Sequence, residues 1–333
     1  MGGPFLLLTS SFLLWCMKLP RLQIVLAFIT LYIVWGSTYL GIELAGETIP
    51  GVFGAGVRFT IVGLLMFGFV GWHRGWSALR ISRAQLGSAA LVGLLLPGAN
   101  SVLFITEQHV PIGLTSLIIA SVPLWVLLLR LAVGERPDAV ASLGLLVGFA
   151  GIVVLVRPGG GSGPLGYLLL TVVAAFAWAL GSFLSPRIAV PRDALVATGY
   201  ETLVGGLVLA VIGLAATPAS ELDPASWSTR SILGLVYLIF IGSLVAYTAY
   251  AWLLGNAPLG QVSTYAYVNP VVAIALGVIV LDETLTLRVV LGALLILAAV
   301  AIVVRRESAV ELEAGEVVGA DGDTPELAPA RRS

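Results

Sequence analysis

Reactive side chains are scarce in this chain. Among 333 residues there is one cysteine, Cys16, and there are two histidines, His73 and His109. One cysteine excludes an intramolecular disulfide framework and a cysteine-based metal cage. The two histidines are far apart and form no HExxH-type pair, so neither a metal nor a cofactor is expected. Charge is also sparse: Asp, Glu, Lys and Arg make up 11% of the residues, and the formal net charge is -1. No basic footprint points to a nucleic-acid partner.

Apolar residues fill the space. The chain is 59% hydrophobic, with a mean hydropathy of +1.04. Soluble domains are about 45–50% apolar and about 25% charged. A compact water-soluble fold of this size has too much surface to hide such a composition. A spanning helix needs roughly 20 mainly apolar residues. Ten such runs lie near residues 22–40, 51–71, 85–105, 112–131, 139–156, 165–184, 194–214, 231–253, 259–280 and 289–304. They are continuously apolar rather than alternating, which argues against a β-barrel. The expected fold is therefore an all-α membrane protein with ten transmembrane helices.

Lys and Arg orient it. With the N-terminus in the cytoplasm, the inside loops hold Lys18, Arg21, Arg74, Arg80, Arg83, Arg130, Arg136, Arg187, Arg192, Arg305 and Arg306. The outside loops hold only Arg157, Arg230 and Arg288. An even number of spans then puts both termini in the cytoplasm of a multi-pass inner (plasma) membrane protein. Residues 1–21 read as a cytoplasmic lead. Its apolar part, 5–15, is too short to span, and no positive charge precedes it as in a signal peptide. Met17 followed by Lys18 is the pattern of an over-extended start. Residues 307–333 hold seven acidic residues and no aromatics, and read as a disordered cytoplasmic tail.

The spans repeat. A shift of 147 residues sets Pro111 on Pro258, Gly113 on Gly260, Ser116 on Ser263 and Pro123 on Pro270. One inserted residue later, Glu135 meets Glu283 and Gly144 meets Gly292. Trp35, Gly36 and Ser37 have counterparts in Trp178, Gly181 and Ser182. The halves are 22–157 and 165–306, joined by the Gly-rich stretch 157–164. That stretch lacks the Lys-Ser/Thr of a phosphate loop. Each half has five spans, an odd number, so consecutive copies must be inverted. Inverted five-helix repeats are a device of secondary transporters, which rock about a site at the repeat interface.

Several segments carry a family likeness. They are Leu31-Tyr32-Ile33-Val34-Trp35-Gly36-Ser37-Thr38-Tyr39, Gly56-Val57-Arg58-Phe59, Val110-Pro111 with Gly113, and Ser121-Val122-Pro123-Leu124. The most specific is Ser263-Thr264-Tyr265-Ala266-Tyr267-Val268-Asn269-Pro270-Val271-Val272. On these, over about residues 22–304, the chain resembles the drug/metabolite transporter superfamily, in particular the EamA-type ten-span permeases of the YedA-like subgroup. The resemblance implies an inner-membrane exporter of small metabolites, amino-acid-like or drug-like, with the bilayer and a small solute as its partners.

Two ionisable side chains lie well inside spans, Arg58 and Glu201, each on the second span of its half. Charges at that depth are costly, so they usually face protein or water. An ion pair across the repeat interface is expected, one that either holds the halves together or serves substrate charge recognition or proton coupling. Trp35, Thr38 and Tyr39 share one face of span one, with Ser37 a further candidate between them, and Trp178 and Ser182 share a face of span six. Ser263 and Tyr267 share a face of span nine, with Asn269 beside it, and Asn100 sits in the outer part of span three. Aromatic faces and hydroxyl or amide groups can line a solute cavity. Pro97, Pro123 and Pro270 each remove a backbone donor inside a span. Glu107 and His109 read as part of a solvated outer loop. Glu43 is not at the depth of the carboxylate in the small four-span multidrug exporters, so their mechanism is not carried over.

A nucleotide-sugar or phosphate exchanger, or an importer of the same superfamily, competes with export. The exchanger would want several cations at membrane depth, and only Arg58 is available. A membrane-embedded lipid-modifying enzyme would need a constellation of His, Asp or Cys at one face. None is visible, so no catalytic residue is expected, and a monomer is. The topology is checked with reporter fusions. Fusions after Arg80 and after Ser333 should read cytoplasmic, and one after Glu221 external. A cytoplasmic signal at Glu221 would refute the inversion.

Overall fold

The computed structural model describes residues 5–135, 139–156, 163–257, 259–262 and 264–320. Those residues form helices and loops, with no strand among them. The helices are α1 (Phe5–Gly46), α2 (Gly51–Arg74), α3 (Arg83–Thr106), α4 (Ile112–Ile119), α5 (Val122–Ala132), α6 (Ala139–Val156) and α7 (Leu165–Leu184). They continue as α8 (Ala194–Ala216), α9 (Thr229–Tyr237), α10 (Ala246–Asn256), α11 (Leu259–Val262), α12 (Tyr265–Val280) and α13 (Leu287–Ala320). In hydrocarbon each backbone N–H and C=O must be satisfied within its own segment, which leaves helices as the only form for such continuous apolar runs. Their starts are marked chemically. Ser82 and Gln85 form a capping box on α3, and the Asp193 carboxylate accepts from Leu195 and Val196 N–H on α8.

Nine stretches among the described residues are long and apolar enough to cross a membrane, and Tyr265–Val280 is a shorter apolar helix. With α11 before it, that helix completes the tenth span. Large apolar side chains such as Leu146, Val153 and Ile279 point outward, as a lipid-facing surface requires. Among the described residues, three spans are not continuous α-helix. The fourth breaks between α4 and α5, just before Pro123, the eighth carries a π-helical stretch at Leu238–Val245, and the ninth breaks between α11 and α12. Non-α backbone at membrane depth is tolerated only where it is buried in protein or lines a cavity.

The two halves are related by a twofold axis that the contacts themselves reveal. Trp35 and Trp178 lie 143 residues apart. The same offset carries Gly56 to Gly199 and Phe67 to Ala210. A Cβ on Gly56 would strike Ala210 backbone at 2.3 Å, and one on Gly199 would strike the Phe67 ring at 2.7 Å. Likewise Gly63 abuts Leu203 at 2.6 Å and Gly206 abuts Thr60 N at 2.4 Å. The helices α2 and α8 therefore run antiparallel, and each contact has its image on the other helix. A twofold axis that does this lies perpendicular to the helices, in the membrane plane, which is the inverted repeat. The pair α6 and α13 obeys the same rule: Gly144 meets Val303, and its counterpart Gly292 meets Leu155. The first span of each half crosses over, α1 packing on α9, α10 and α12, and α7 on α3, α4 and α5.

The loops fall at two ends. At one end Glu47 pairs with Arg230 at 3.3 Å, and Ser228 N–H donates to Thr48 Oγ1 at 2.9 Å. At the other, Arg74 pairs with Asp193, and Tyr200 Oη donates to the Leu79 carbonyl at 2.8 Å. Both terminal segments are helical where described. Helix α1 begins at Phe5, so the lead before the first span is helical where described. Helix α13 runs to Ala320 and takes in the first part of the acidic segment expected to be disordered. Ala and Glu are strong helix formers, and extending an existing helix needs no new nucleus. Residues 321–333 lie outside the described residues, as do Arg136, Pro258, Ser263 and most of the Gly-rich joint.

Replacing Gly206 with leucine should force α8 away from the Thr60 backbone and destabilise the fold by about 1–3 kcal/mol, the usual cost of overpacking. Thermal unfolding of the purified protein checks this. Leucine at Gly68, which has open space around it, should be tolerated.

Candidate functional site

A cavity of about 130 Å³ lies between the halves, at the level of the broken spans. That is roughly tenfold the space one water requires. Seven of the sequence-derived candidates line it: Trp35, Thr38 and Tyr39 from α1, Arg58 from α2, Asn100 from α3, Trp178 from α7 and Asn269 from α12. Both fourth-span breaks contribute, through Ala120 and Pro123 on one side and Tyr265 and Pro270 on the other. The Trp35 ring is the hub of an aromatic wall. Its centroid lies 4.9 Å from that of Tyr265, 5.2 Å from Tyr250 and 5.8 Å from Tyr247, with edge-to-face contacts to Tyr265 and Tyr247.

Arg58 is the charged group of the cavity and is 4% exposed. Its Nε donates to Ser243 Oγ at 3.2 Å and its Nη1 to Asn100 Oδ1 at 2.9 Å. Its guanidinium carbon lies 4.9 Å from the Phe59 ring centre. No carboxylate among the described residues forms an ion pair with it. The expected Arg58–Glu201 pair is thus not formed. In the antiparallel register set by the glycines, the two residues lie seven positions apart, about 10 Å along the helices. Arg58 instead meets two neutral acceptors, Asn100 and Ser243, themselves 143 residues apart and so images of each other. The cation sits close to the twofold axis. Glu201 is half-buried on α8, its carbonyl against Gly93 of α3, and it does not line the cavity. Tyr247 stands within electrostatic reach of both Arg58 and Glu201.

The other candidates fall elsewhere. Ser37 Oγ accompanies Tyr237 Oη at 2.6 Å and ties α1 to α9. Ser182 lies half-buried on α7, and Tyr267 packs on the hydrophobic cluster around Leu117 and Val300. Neither lines the cavity, and Ser263 lies outside the described residues. Sequence reasoning missed Ser243, Tyr247 and Tyr265. The 143-residue offset from Asn100 would have found Ser243. Tyr265 stands inside the most specific motif, but its α-helical face is offset by the break before it.

The two halves are tied together at the end that carries residues 47–50 and 281–286. There Glu283 accepts from Ile112 N–H at 2.6 Å and Gly113 N–H at 3.2 Å, so a carboxylate from the second half caps helix α4 of the first. Asp282, at φ 54, turns the chain back for this, and Gly277 leaves room, since a Cβ there would lie 2.3 Å from Glu283 Oε2. Below this cap α4 packs on α12, whereas no comparably extensive contact joins α5 to α11 or α12 toward the other end. Glu135, the repeat counterpart of Glu283, is not used as a cap among the described residues. It pairs with Arg130 at 2.6 Å and Arg187 at 2.7 Å, and those two bonds hold its carboxyl below the usual range.

A broken-helix cavity on an inverted twofold axis, with the halves tied together at one end, is the geometry of a rocking-bundle carrier. Comparison with known proteins is decisive. The EamA-like transporter family model matches residues 22–157 and again 165–305. The chain belongs to the EamA family. It is 36% identical over 262 residues to the uncharacterized inner membrane transporter YedA of Escherichia coli K12, covering 78% of this chain and 83% of that one. It is 28% identical over 276 residues to a "probable amino-acid metabolite efflux pump" of the same bacterium, covering 80% and 89%. A crystal structure aligns with a TM-score of 0.56 at 22% identity, over 84% of this chain and 96% of that one, and shows the fold alone. This EamA protein is a secondary transporter of small metabolites.

Double-mutant cycles test the local geometry. Arg58→Leu and Glu201→Gln should be additive in unfolding free energy within about 0.5 kcal/mol, because they do not meet. Arg58→Leu and Asn100→Leu should be non-additive by about 0.5–3 kcal/mol. Coupling between Arg58 and Glu201 would overturn the assignment.

Proposed function

We propose that this transporter exports an amino-acid-like or drug-like solute that bears a carboxylate on an apolar or aromatic body. One observation carries this reading. A buried guanidinium faces the cavity with two neutral acceptors and no anionic partner, beside a wall of aromatic rings. An uncompensated buried cation is costly, and a solute carboxylate would neutralise it through charge-assisted hydrogen bonds. The body of the solute would lie against Trp35, Tyr247 and Tyr265, and Asn269, whose buried Oδ1 has no partner, would receive a donor such as an ammonium. The broken fourth and ninth spans allow the cavity to close at one end while opening at the other.

The Lys and Arg bias supports an inner-membrane orientation with both termini cytoplasmic, the closed end outside and the cavity turned toward the cytoplasm. A relative described as an efflux pump agrees with that direction. Reconstituted vesicles test the reading. Uptake of a panel of amino acids should exceed that of the matching amides by at least about tenfold, since losing a charged hydrogen-bond partner in a buried site costs about 1.5–3 kcal/mol. Arg58→Leu should erase the difference. Equal transport of acids and amides would sink the carboxylate reading.

A further inference from the structure

The sequence places Glu107 in a solvated loop, and the structure does not. At the end of α3, Glu107 is 3% exposed, its N–H donates to the Leu103 carbonyl at 2.9 Å, and both carboxyl oxygens are buried with no hydrogen-bond partner. The hydroxyls of Thr106, its neighbour in the chain, and of Thr115 on α4 are likewise buried without partners. At the outer end, α1 of the first half and the 281–286 loop of the second bring Glu43 and Glu283 within electrostatic reach of this carboxyl. We propose that Glu107 is a proton-binding site whose occupancy is tied to closure of this end: protonated when the end is closed, ionised when it is open.

The surroundings decide which form can be buried. From α1 come Tyr39 and Glu43, from the α12–α13 loop comes Glu283, and from α2 comes Arg58. The segment Ile112–Ile119 of α4 brings no ionisable side chain. Tyr167 of α7 is stacked on His109 instead. Glu201 of α8 lies at the level of Gly93, about 20 Å along α3. The one cation, Arg58, already donates to Asn100 and Ser243. Glu43 accepts from the Gln108 side chain at 3.1 Å, and Glu283 holds two backbone N–H groups, so both neighbouring acids have partners that Glu107 lacks. Burial first, and then the charges of Glu43 and Glu283, push the Glu107 carboxyl well above the usual range, against a smaller pull from Arg58.

An ionised carboxylate without a partner in such a place is costly, and a neutral one much less so. As the end closes, the carboxylate takes one proton from water and an O–H bond forms. As it opens, the carboxyl is hydrated and the proton leaves. The sign follows from linkage. The closed state has the raised value, so the closure this proton favours is fully present below the ordinary carboxylate value of about 4.3. It weakens as pH rises toward the closed-state value. Tyr39 lies both beside Glu107 and on the cavity wall, which joins this proton site to the solute site.

The test needs no solute, so it stands apart from the carboxylate reading. Thr115 is fully buried, does not line the cavity and has a hydroxyl without a hydrogen-bond partner, so Thr115→Cys in a Cys16→Ser chain is a close-fitting reporter of outer opening. Maleimide labelling is followed from pH 5 to 9, with and without Glu107→Gln. The Gln variant, neutral at every pH, supplies the baseline for thiol ionisation. The expected ratio of wild-type to Gln labelling rises with pH, by at most about tenfold per unit for one proton. A ratio that does not change with pH overturns the proposal. Hydrogen exchange of the amides of Ile112 to Ser116 in the chain without Thr115→Cys gives the same comparison. Its protection should fall with pH in the wild type relative to Glu107→Gln, and equal protection at all pH values likewise refutes the site.

Discussion

Glycines including Gly56, Gly63, Gly199 and Gly206 let α2 and α8 approach until a Cβ on either helix would meet the other's backbone or side chain. In a bilayer, where lipid tails are as apolar as leucine, such close packing replaces the hydrophobic effect as the force between helices. The contact is antiparallel and maps onto itself under the repeat offset. It therefore fixes the axis about which the halves are arranged, and the height of every side chain on the two helices. Arg58 is placed near that axis by this register. So is its distance from Glu201.

Around the axis the backbone departs from regular α-helix in three spans, and these departures border the cavity. Pro123 and Pro270 remove donors, and both prolines line the cavity, where groups so freed are tolerated. The polar chemistry of the membrane interior is concentrated there. Arg58 reaches Asn100 and Ser243, groups from equivalent spans of the two halves. Because the partners are neutral, the cation keeps its charge available to the cavity.

Two inverted halves with identical contacts at both ends would not define an open and a closed side. The ends differ here through equivalent carboxylates in different settings. Glu283 reaches across to the first turn of α4, while Glu135 lies at the surface between Arg130 and Arg187. A helix cap and a surface ion pair differ little in energy. Exchange between such arrangements is therefore compatible with a carrier that must visit both. The buried Glu107 belongs to the capped end and gives that end a chemistry its counterpart lacks.

Composition alone established a membrane protein, because no soluble surface accommodates so much apolar area, and run length established about ten helices. The odd number of spans per repeat established inversion by parity. Trp35, Tyr39, Arg58, Asn100, Trp178 and Asn269 were legible as polar or aromatic groups at membrane depth, and the structure sets them around one cavity. The partners of Arg58 were not legible, since depth along two helices differs from register between them, and register came from glycine contacts visible only after packing. Nor was the burial of Glu107. Its position at a helix end looks solvated in one dimension, and only the tertiary fold, which brings α1 and the 281–286 loop near it, removes the water. Sequence by itself determined what each segment must do to satisfy its backbone and its apolar surface, which are local requirements. Tertiary structure decided which polar side chains meet and which are left without a partner, because those depend on the approach of distant helices.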